Sequence, residues 1–253
     1  MKKKYLHTDE EDKTYFFDMH LHILPGLDDG SGSMKETCRM IQMEMEQGVR
    51  CMCATPHFNL ESPLDRKKVV ETYKKTCHVL ARYFPKMRLY LGQELFYAPG
   101  ILKALKEKVA FTLNESRYVL LEFMPDESYS VIFTALKTFI ENGYIPIMAH
   151  IERVNALWKQ KERLDELKSM GIPFQMNTSS LIGKLDLSAR YCRSLIKAGY
   201  IDLLGTDAHG VMWRPPDYQQ ASWWISRQCG EETLYRLAVE NPVRILNNQL
   251  LEL

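Results

Sequence analysis

The sequence predicts an α/β protein whose seven parallel strands close into an imperfect (β/α)7 barrel. Three observations carry that expectation. Seven short apolar runs recur along the chain, each continuous rather than alternating with polar residues, as for parallel strands buried on both faces. Longer amphipathic segments separate them, the rhythm of repeated βα units. Gly48, Gly143, Gly171 and Gly199 each fall between an amphipathic segment and the next apolar run, where a left-handed residue ends a helix.

The first strand is expected at 15–20, and a Gly/Pro/Asp-rich turn ending at Gly30 follows it. A helix over 33–47 leads to a second strand at 49–55, where Cys51 and Cys53 share one face as small apolar side chains. Met40, Met43 and Met45 on that helix read as core filler. A helix over 64–83 precedes a third strand at 88–94, a helix over 98–108 a fourth at 117–122, and a helix over 127–142 a fifth at 145–150. Helices at 156–170 and 186–198 lead into strands at 172–177 and 201–206, and two more helices, 217–228 and 231–239, complete the chain.

The 253 residues, 45% hydrophobic and 26% charged, suit one domain with a large core, expected over 15–253, behind a solvated tail at 1–14. A formal net charge of +1 gives no field drawing the chain to nucleic acid or to an anionic membrane. No run approaches the roughly 18 apolar residues of a membrane span, and the charges at Asp9–Lys13 exclude an ordinary signal peptide after the starting lysines. Six cysteines without a CxxC pair fit a reducing compartment, so a cytoplasmic location is expected.

The residues ending the expected strands carry the chemistry. Strand one ends at His20 and His22, strand two at His57, strand three at Glu94, strand four at Glu122, strand five at His150, and strand seven at Asp207 and His209. In a βα barrel these ends form one rim, where active sites are built. Imidazoles and carboxylates gathered there are costly to bury unless cations compensate them. Eight rim residues with Asp28 or Asp29 exceed the ligand set of a single catalytic zinc and suffice for two or three metal ions. Arg153 and Arg214 lie just past His150 and His209, and guanidinium binds phosphate bidentately. A metal cluster beside rim arginines points to phosphate ester hydrolysis.

The motifs Asp18-x-His20-x-His22-x-Leu24-Pro25-Gly26-x-Asp28-Asp29-Gly30, Ala54-Thr-Pro-His57, Gly92-Gln-Glu94, Leu120-Leu-Glu-Phe123, Ala149-His-x-Glu-Arg153 and Asp207-Ala-His209 resemble the PHP (polymerase and histidinol phosphatase) superfamily. Within it the chain is most similar to the bacterial capsule-type, manganese-dependent protein-tyrosine phosphatases of the CpsB/YwqE group. The resemblance implies a distorted seven-stranded TIM-like barrel, the PHP fold, with three divalent ions: manganese, with iron or zinc as alternatives. By that analogy His20, His22, Glu94 and Asp207 hold the first ion. Glu94, Glu122 and His150 hold the second, and His57, His209 and an Asp of the Asp28–Asp29 pair hold the third. Asp29 is preferred because it directly precedes Gly30 as in the family's Asp-Gly. Arg153 and Arg214 match the phosphate-binding arginines. The implied substrate is phosphotyrosine on the tail of a bacterial tyrosine kinase that controls polysaccharide export, and homo-oligomerisation stays open.

The expected reaction is in-line attack on phosphorus by a metal-generated hydroxide, with Asp207 available to assist the leaving group. Alternatives are a phosphatase of a small ester such as histidinol phosphate, and a non-catalytic barrel that binds phosphotyrosine or a partner. Asp18 has two readings, orienting a ligand imidazole or starting a strand in solvent. Asn177 reads as a hydrogen-bonding residue, and Trp213 as packing or a rim contact.

Overall fold

Every β-pairing among the described residues is parallel. The computed structural model describes residues 15–183 and 186–253; the tail expected at 1–14 lies outside them. Among the described residues nine strands occur: β1 (Phe16–Leu21), β2 (Val49–Ala54), β3 (His57–Phe58), β4 (Arg88–Leu91), β5 (Glu94–Phe96), β6 (Tyr118–Glu122), β7 (Ile145–Met148), β8 (Gln175–Asn177) and β9 (Leu203–Gly205). They pair in the orders β1-β2-β4, β3-β5-β6-β7 and β8-β9. Single bridges link Leu21 to Ala208 and Met148 to Phe174, joining the three sheets edge to edge.

All seven expected strand positions contain a strand, with two corrections to their ends. His57 and Glu94 do not end strands two and three; each opens a short second segment. Pro56 has no amide hydrogen to continue the β2 ladder. Gly92 donates from its amide to the Ala54 carbonyl at 2.8 Å and Glu94 to that of Pro56 at 3.3 Å, so pairing resumes as β3–β5. The sixth and seventh strands are shorter than expected, because regular pairing is confined to Gln175–Asn177 and Leu203–Gly205.

The helices are α1 (Met34–Glu46), α2 (Arg66–Tyr83), α3 (Ile101–Lys106), α4 (Tyr129–Glu141), α5 (Lys161–Ser169), α6 (Leu187–Lys197), α7 (Tyr218–Cys229), α8 (Glu231–Tyr235) and α9 (Asn241–Leu246). Ser33, Asp65, Ser128 and Asp186 cap α1, α2, α4 and α6 by accepting from the first-turn amides. Gly48 and Gly143 follow α1 and α4 with φ of 89° and 82°, the left-handed step expected before the next strand. The segment 156–170 is partly turn, with a 3-10 turn at Asn155–Leu157 before α5. After α8 a wide turn at Arg236–Glu240 passes into α9, where Pro242 sits in the first turn and needs no amide partner.

The continuous apolar runs are explained by burial on two faces. Along β6, Val119 and Leu121 pack toward the helices in the larger cluster, whereas Tyr118 and Leu120 join a second cluster with Phe17, Met19, Cys51 and Ile147. Leu113, Ile245 and Leu246 also belong to that second cluster, and the Tyr118 hydroxyl donates to the Gln249 carbonyl at 2.8 Å. Met40 is buried as expected, but Met43 and Met45 are half-buried, and the next core-facing position of α1 is the fully buried Glu44.

Candidate metal centre

β1 delivers the two histidines through an irregular stretch. Its pairing register with β2 shifts between Asp18 and Leu21; His20 within the shift and His22 beyond it both reach Glu94. Asp18 fits neither reading offered for it. It is fully buried, accepts from the backbone amides of His20 at 3.1 Å and Thr206 at 3.0 Å, and bonds the Thr206 hydroxyl. It therefore ties β1 to the end of β9 through backbone rather than through an imidazole. The backbones meet closely here: a Cβ on Gly30 would lie 2.2 Å from the His22 carbonyl oxygen, and one on Gly205 2.5 Å from the His20 Cβ. Only glycine fits at either position.

Glu94 is the hub. Its Oε2 lies 3.0 Å from His57 Nδ1, 3.1 Å from His20 Nε2 and 3.2 Å from His22 Nε2, while Oε1 lies 2.8 Å from His150 Nε2. Three sets of donor atoms each converge within 4.8 Å: His20, His22, Glu94 and Asp207; His57, Glu94 and Glu122; and His22, Asp29, His57 and His209. The first matches the set implied for one ion. The second differs, since His57 rather than His150 completes it; His150 faces Glu94 and, at 3.4 Å, Glu122. The third contains Asp29, His57 and His209, with His22 added.

The imidazoles are oriented from behind. His22 Nδ1 pairs with Asp28 at 2.7 Å, His20 Nδ1 with the Gln175 side-chain oxygen at 3.2 Å, and His209 Nδ1 with the Asp207 carbonyl at 2.8 Å. A proton held on each Nδ1 leaves Nε2 as a lone pair aimed inward, the arrangement found behind metal-bound histidines. Asp28 thus takes the orienting role, and Asp29, its side chain 58% exposed, stands 3.5 Å from both His57 Nε2 and His209 Nε2. Among the described residues, His20 Nε2, His22 Nε2 and Glu94 Oε2 are buried without any hydrogen bond. Buried polar atoms left this way are costly, and a divalent cation satisfies all three at once. The donors, imidazole nitrogens and carboxylate oxygens, suit manganese, iron or zinc.

Asp207 connects this cluster to the arginines. Its Oδ1 lies 3.4 Å from His22 Nε2 and 3.6 Å from His20 Nε2. Its Oδ2 accepts from Asn177 Nδ2 at 2.8 Å, pairs with Arg153 at 2.8 Å and contacts the Arg214 guanidinium. Asn177 is the hydrogen-bonding residue expected of it. His150, Asp207 and Arg214 all hold left-handed φ angles, 27°, 54° and 49°, so backbone strain gathers at the centre.

The field is strongly anionic at its heart. Burial works against charging His20 and His22, yet the neighbouring Glu94 and Asp207 carboxylates outweigh it and raise both imidazoles above their usual range. Burial likewise opposes the charge on Asp207, but His20 and His22 hold it well below the usual carboxylate range. Asp207 therefore stands as a carboxylate between the two imidazoles and the two guanidinium groups. His209 goes the other way: burial, then the charge near His22 and Arg214, pushes it down to about 4, so it is neutral and its Nε2 accepts from Arg214 Nη1 at 3.1 Å.

The family profile described as "Capsular polysaccharide synthesis, CpsB/CapC" matches residues 16–247. The chain belongs to the CpsB/CapC family. It is 32% identical over 240 residues to the tyrosine-protein phosphatase CpsB of Streptococcus agalactiae, spanning 91% of this chain and 98% of that one. It is 28% identical over 237 residues to the tyrosine-protein phosphatase YwqE of Bacillus subtilis, spanning 92% of each. Among solved structures, one reported for YwqE from Bacillus subtilis and CpsB from Streptococcus pneumoniae, described as unique metal-dependent tyrosine phosphatases, superposes with a TM-score of 0.85 over 93% of this chain and 96% of that one. A histidinol phosphate phosphatase from Lactococcus lactis superposes at 0.59 over 86% of this chain and 93% of that one, with 14% identity, a likeness of fold alone.

In this CpsB/CapC chain, sequence reasoning missed Gln175 and Glu152. Gln175 accepts from the His150 amide at 2.6 Å as well as facing His20, and its amide nitrogen donates to Asn177 at 2.9 Å. Glu152 accepts from the Asn177 amide at 3.0 Å and the Ser180 hydroxyl at 2.6 Å, tying the turn that carries Arg153 to the end of β8. The available signal was the alternation of Gln175 and Asn177 on a short apolar strand, since buried polar side chains in a sheet demand partners.

Proposed function

We propose that this chain is a metal-dependent protein-tyrosine phosphatase. One observation carries the reading: an unbonded, buried Glu94 oxygen among three imidazole nitrogens, beside a carboxylate on which Arg153 and Arg214 converge. The strand pairings and the two linking bridges support a distorted seven-stranded barrel with β2–β3 and β4–β5 each counted as one broken strand. Three divalent ions, manganese foremost, fit the three donor sets. His20, His22, Glu94 and Asp207 would hold the first, Glu94 and Glu122 with His57 or His150 the second, and Asp29, His57 and His209 the third.

Bound divalent cations would supply Lewis acidity and lower the pKa of attacking water. Arg153 and Arg214 hold the phosphoryl oxygens, and Asp207 keeps both guanidinium groups poised when no phosphate is present. A tyrosinate leaving group, with a parent pKa of about 10, needs little protonation, and Asp207 is the side chain that would assist it. A thiol route is disfavoured by the residues themselves. Burial pushes Cys51 and Cys192 up to about 12, and none of the six cysteines has arginine six positions on.

The family resemblance supports a phosphotyrosine segment of a bacterial tyrosine kinase as the substrate, and homo-oligomerisation rests on the same ground. Six unpaired cysteines support a cytoplasmic site of action. Among the described residues no helix is long and apolar enough to cross a membrane. Side-by-side kcat/KM on a phosphotyrosine peptide and on histidinol phosphate tests the substrate. The peptide is expected to be preferred by at least tenfold, and preference for histidinol phosphate would overturn the assignment.

A further inference from the structure

The loop after β9 sets two large apolar side chains on the lip of a polar site. Met212 is 90% exposed and Trp213 59%, although both immediately precede Arg214. The loop is braced rather than loose. The His209 amide donates to the Arg214 carbonyl at 2.9 Å, the Val211 amide to Glu36 at 3.4 Å, and Gln47 bonds both the Pro216 carbonyl and the Gln219 amide at 2.9 Å. Trp213 stands edge-on to the His209 ring, centroids 5.4 Å apart and planes at 81°, and the Arg214 guanidinium carbon lies 5.3 Å from its ring centre. The indole is thus fixed against one side chain proposed to hold an ion and one proposed to hold phosphate, with much of its surface open to solvent.

We infer that Trp213 is a specificity residue that receives the aryl ring of the substrate. The inference rests on the phosphatase reading above. A phosphoryl group held between Arg214 and the His209 side of the cluster places its ester oxygen, and whatever that oxygen carries, within a ring's width of the indole. A phenyl ring there makes an offset or edge contact with Trp213, and Met212 adds a polarisable flank. An alkyl ester at the same phosphate position has no ring to offer. Exposed apolar side chains beside charged and polar groups fit such a contact surface.

Titration calorimetry on the metal-loaded protein with phenylphosphonate and methylphosphonate tests this without turnover. Wild type is expected to bind the phenyl compound more tightly. Trp213→Ala should shrink that preference by about three- to tenfold, and Trp213→Phe should restore most of it. An unchanged phenyl-to-methyl ratio in Trp213→Ala would overturn the inference while leaving the phosphatase reading intact. Selective binding of phenylphosphonate by a protein that hydrolyses no phosphate ester would support the aryl subsite and overturn the phosphatase reading instead.

Discussion

The strands of this protein carry two regions of opposite character within a few residues of each other. On β1, Phe17 and Met19 lie in an apolar cluster with Cys51, Tyr118 and Leu120, where the one hydroxyl donates to a backbone carbonyl. Beyond them His20 and His22 leave buried nitrogens unbonded against Glu94. The first region is dry and satisfied; the second is polar and unsatisfied until something with positive charge enters. Packing of the first holds the second in place, and the second contributes mainly binding. Substitutions in the two regions should therefore separate cleanly.

The largest separation is expected at Glu94. Glu94→Gln keeps the size but removes the charge shared by four imidazoles, so phosphotyrosine-peptide turnover should fall by about a thousandfold, with bound metal reduced and circular dichroism preserved. Activity within threefold of wild type would erase the distinction drawn here. The mirror experiment is Leu120→Ala in the dry cluster, which should cost about 3 kcal/mol of unfolding free energy in denaturant titration while the folded fraction keeps its metal content. Loss of metal at full stability would reverse the assignment of the two regions.

A smaller effect belongs to the orienting residues. Gln175→Leu removes the acceptor behind His20 and should weaken metal affinity by about 10- to 100-fold in competition with a chelating dye, alongside a lowered melting temperature because the buried His150 amide loses its acceptor too. Equal affinity would mean that packing alone sets the His20 ring. The smallest expected effect is in pH. In ion-free protein His20, His22 and His57 are raised above 6.5 by neighbouring carboxylates acting against burial, so their stabilising contribution is complete below pH 6.5 and fades as pH rises beyond it. Chelated protein should lose melting temperature on going from pH 6.5 to 8.5 (about 3 °C for each kcal/mol), whereas metal-loaded protein should not. Parallel curves for the two forms would contradict this.

Much of the frame was legible because burial on both faces leaves a one-dimensional mark: seven continuous apolar runs, with glycine ending the helices before four of them. The charged and imidazole residues closing those runs were legible because such groups rarely sit at the end of a buried strand without a cation or partner. The breaks before His57 and Glu94 were not, since the slip is defined by bonds between neighbouring strands. Gln175 is 155 residues from His20, and Asp18 is 188 from Thr206, so neither role has a local pattern. Glu44 shows the same limit in reverse, occupying a core-facing position of α1 where periodicity calls for an apolar side chain.

Elemental analysis of the purified protein, coupled to phosphotyrosine-peptide turnover before chelation, after chelation and after manganese is restored, bears most directly on the central claim. The account predicts two to three divalent ions per chain in the active protein, activity abolished with their removal, and recovery on their return. Undiminished turnover by protein stripped of metal would contradict it.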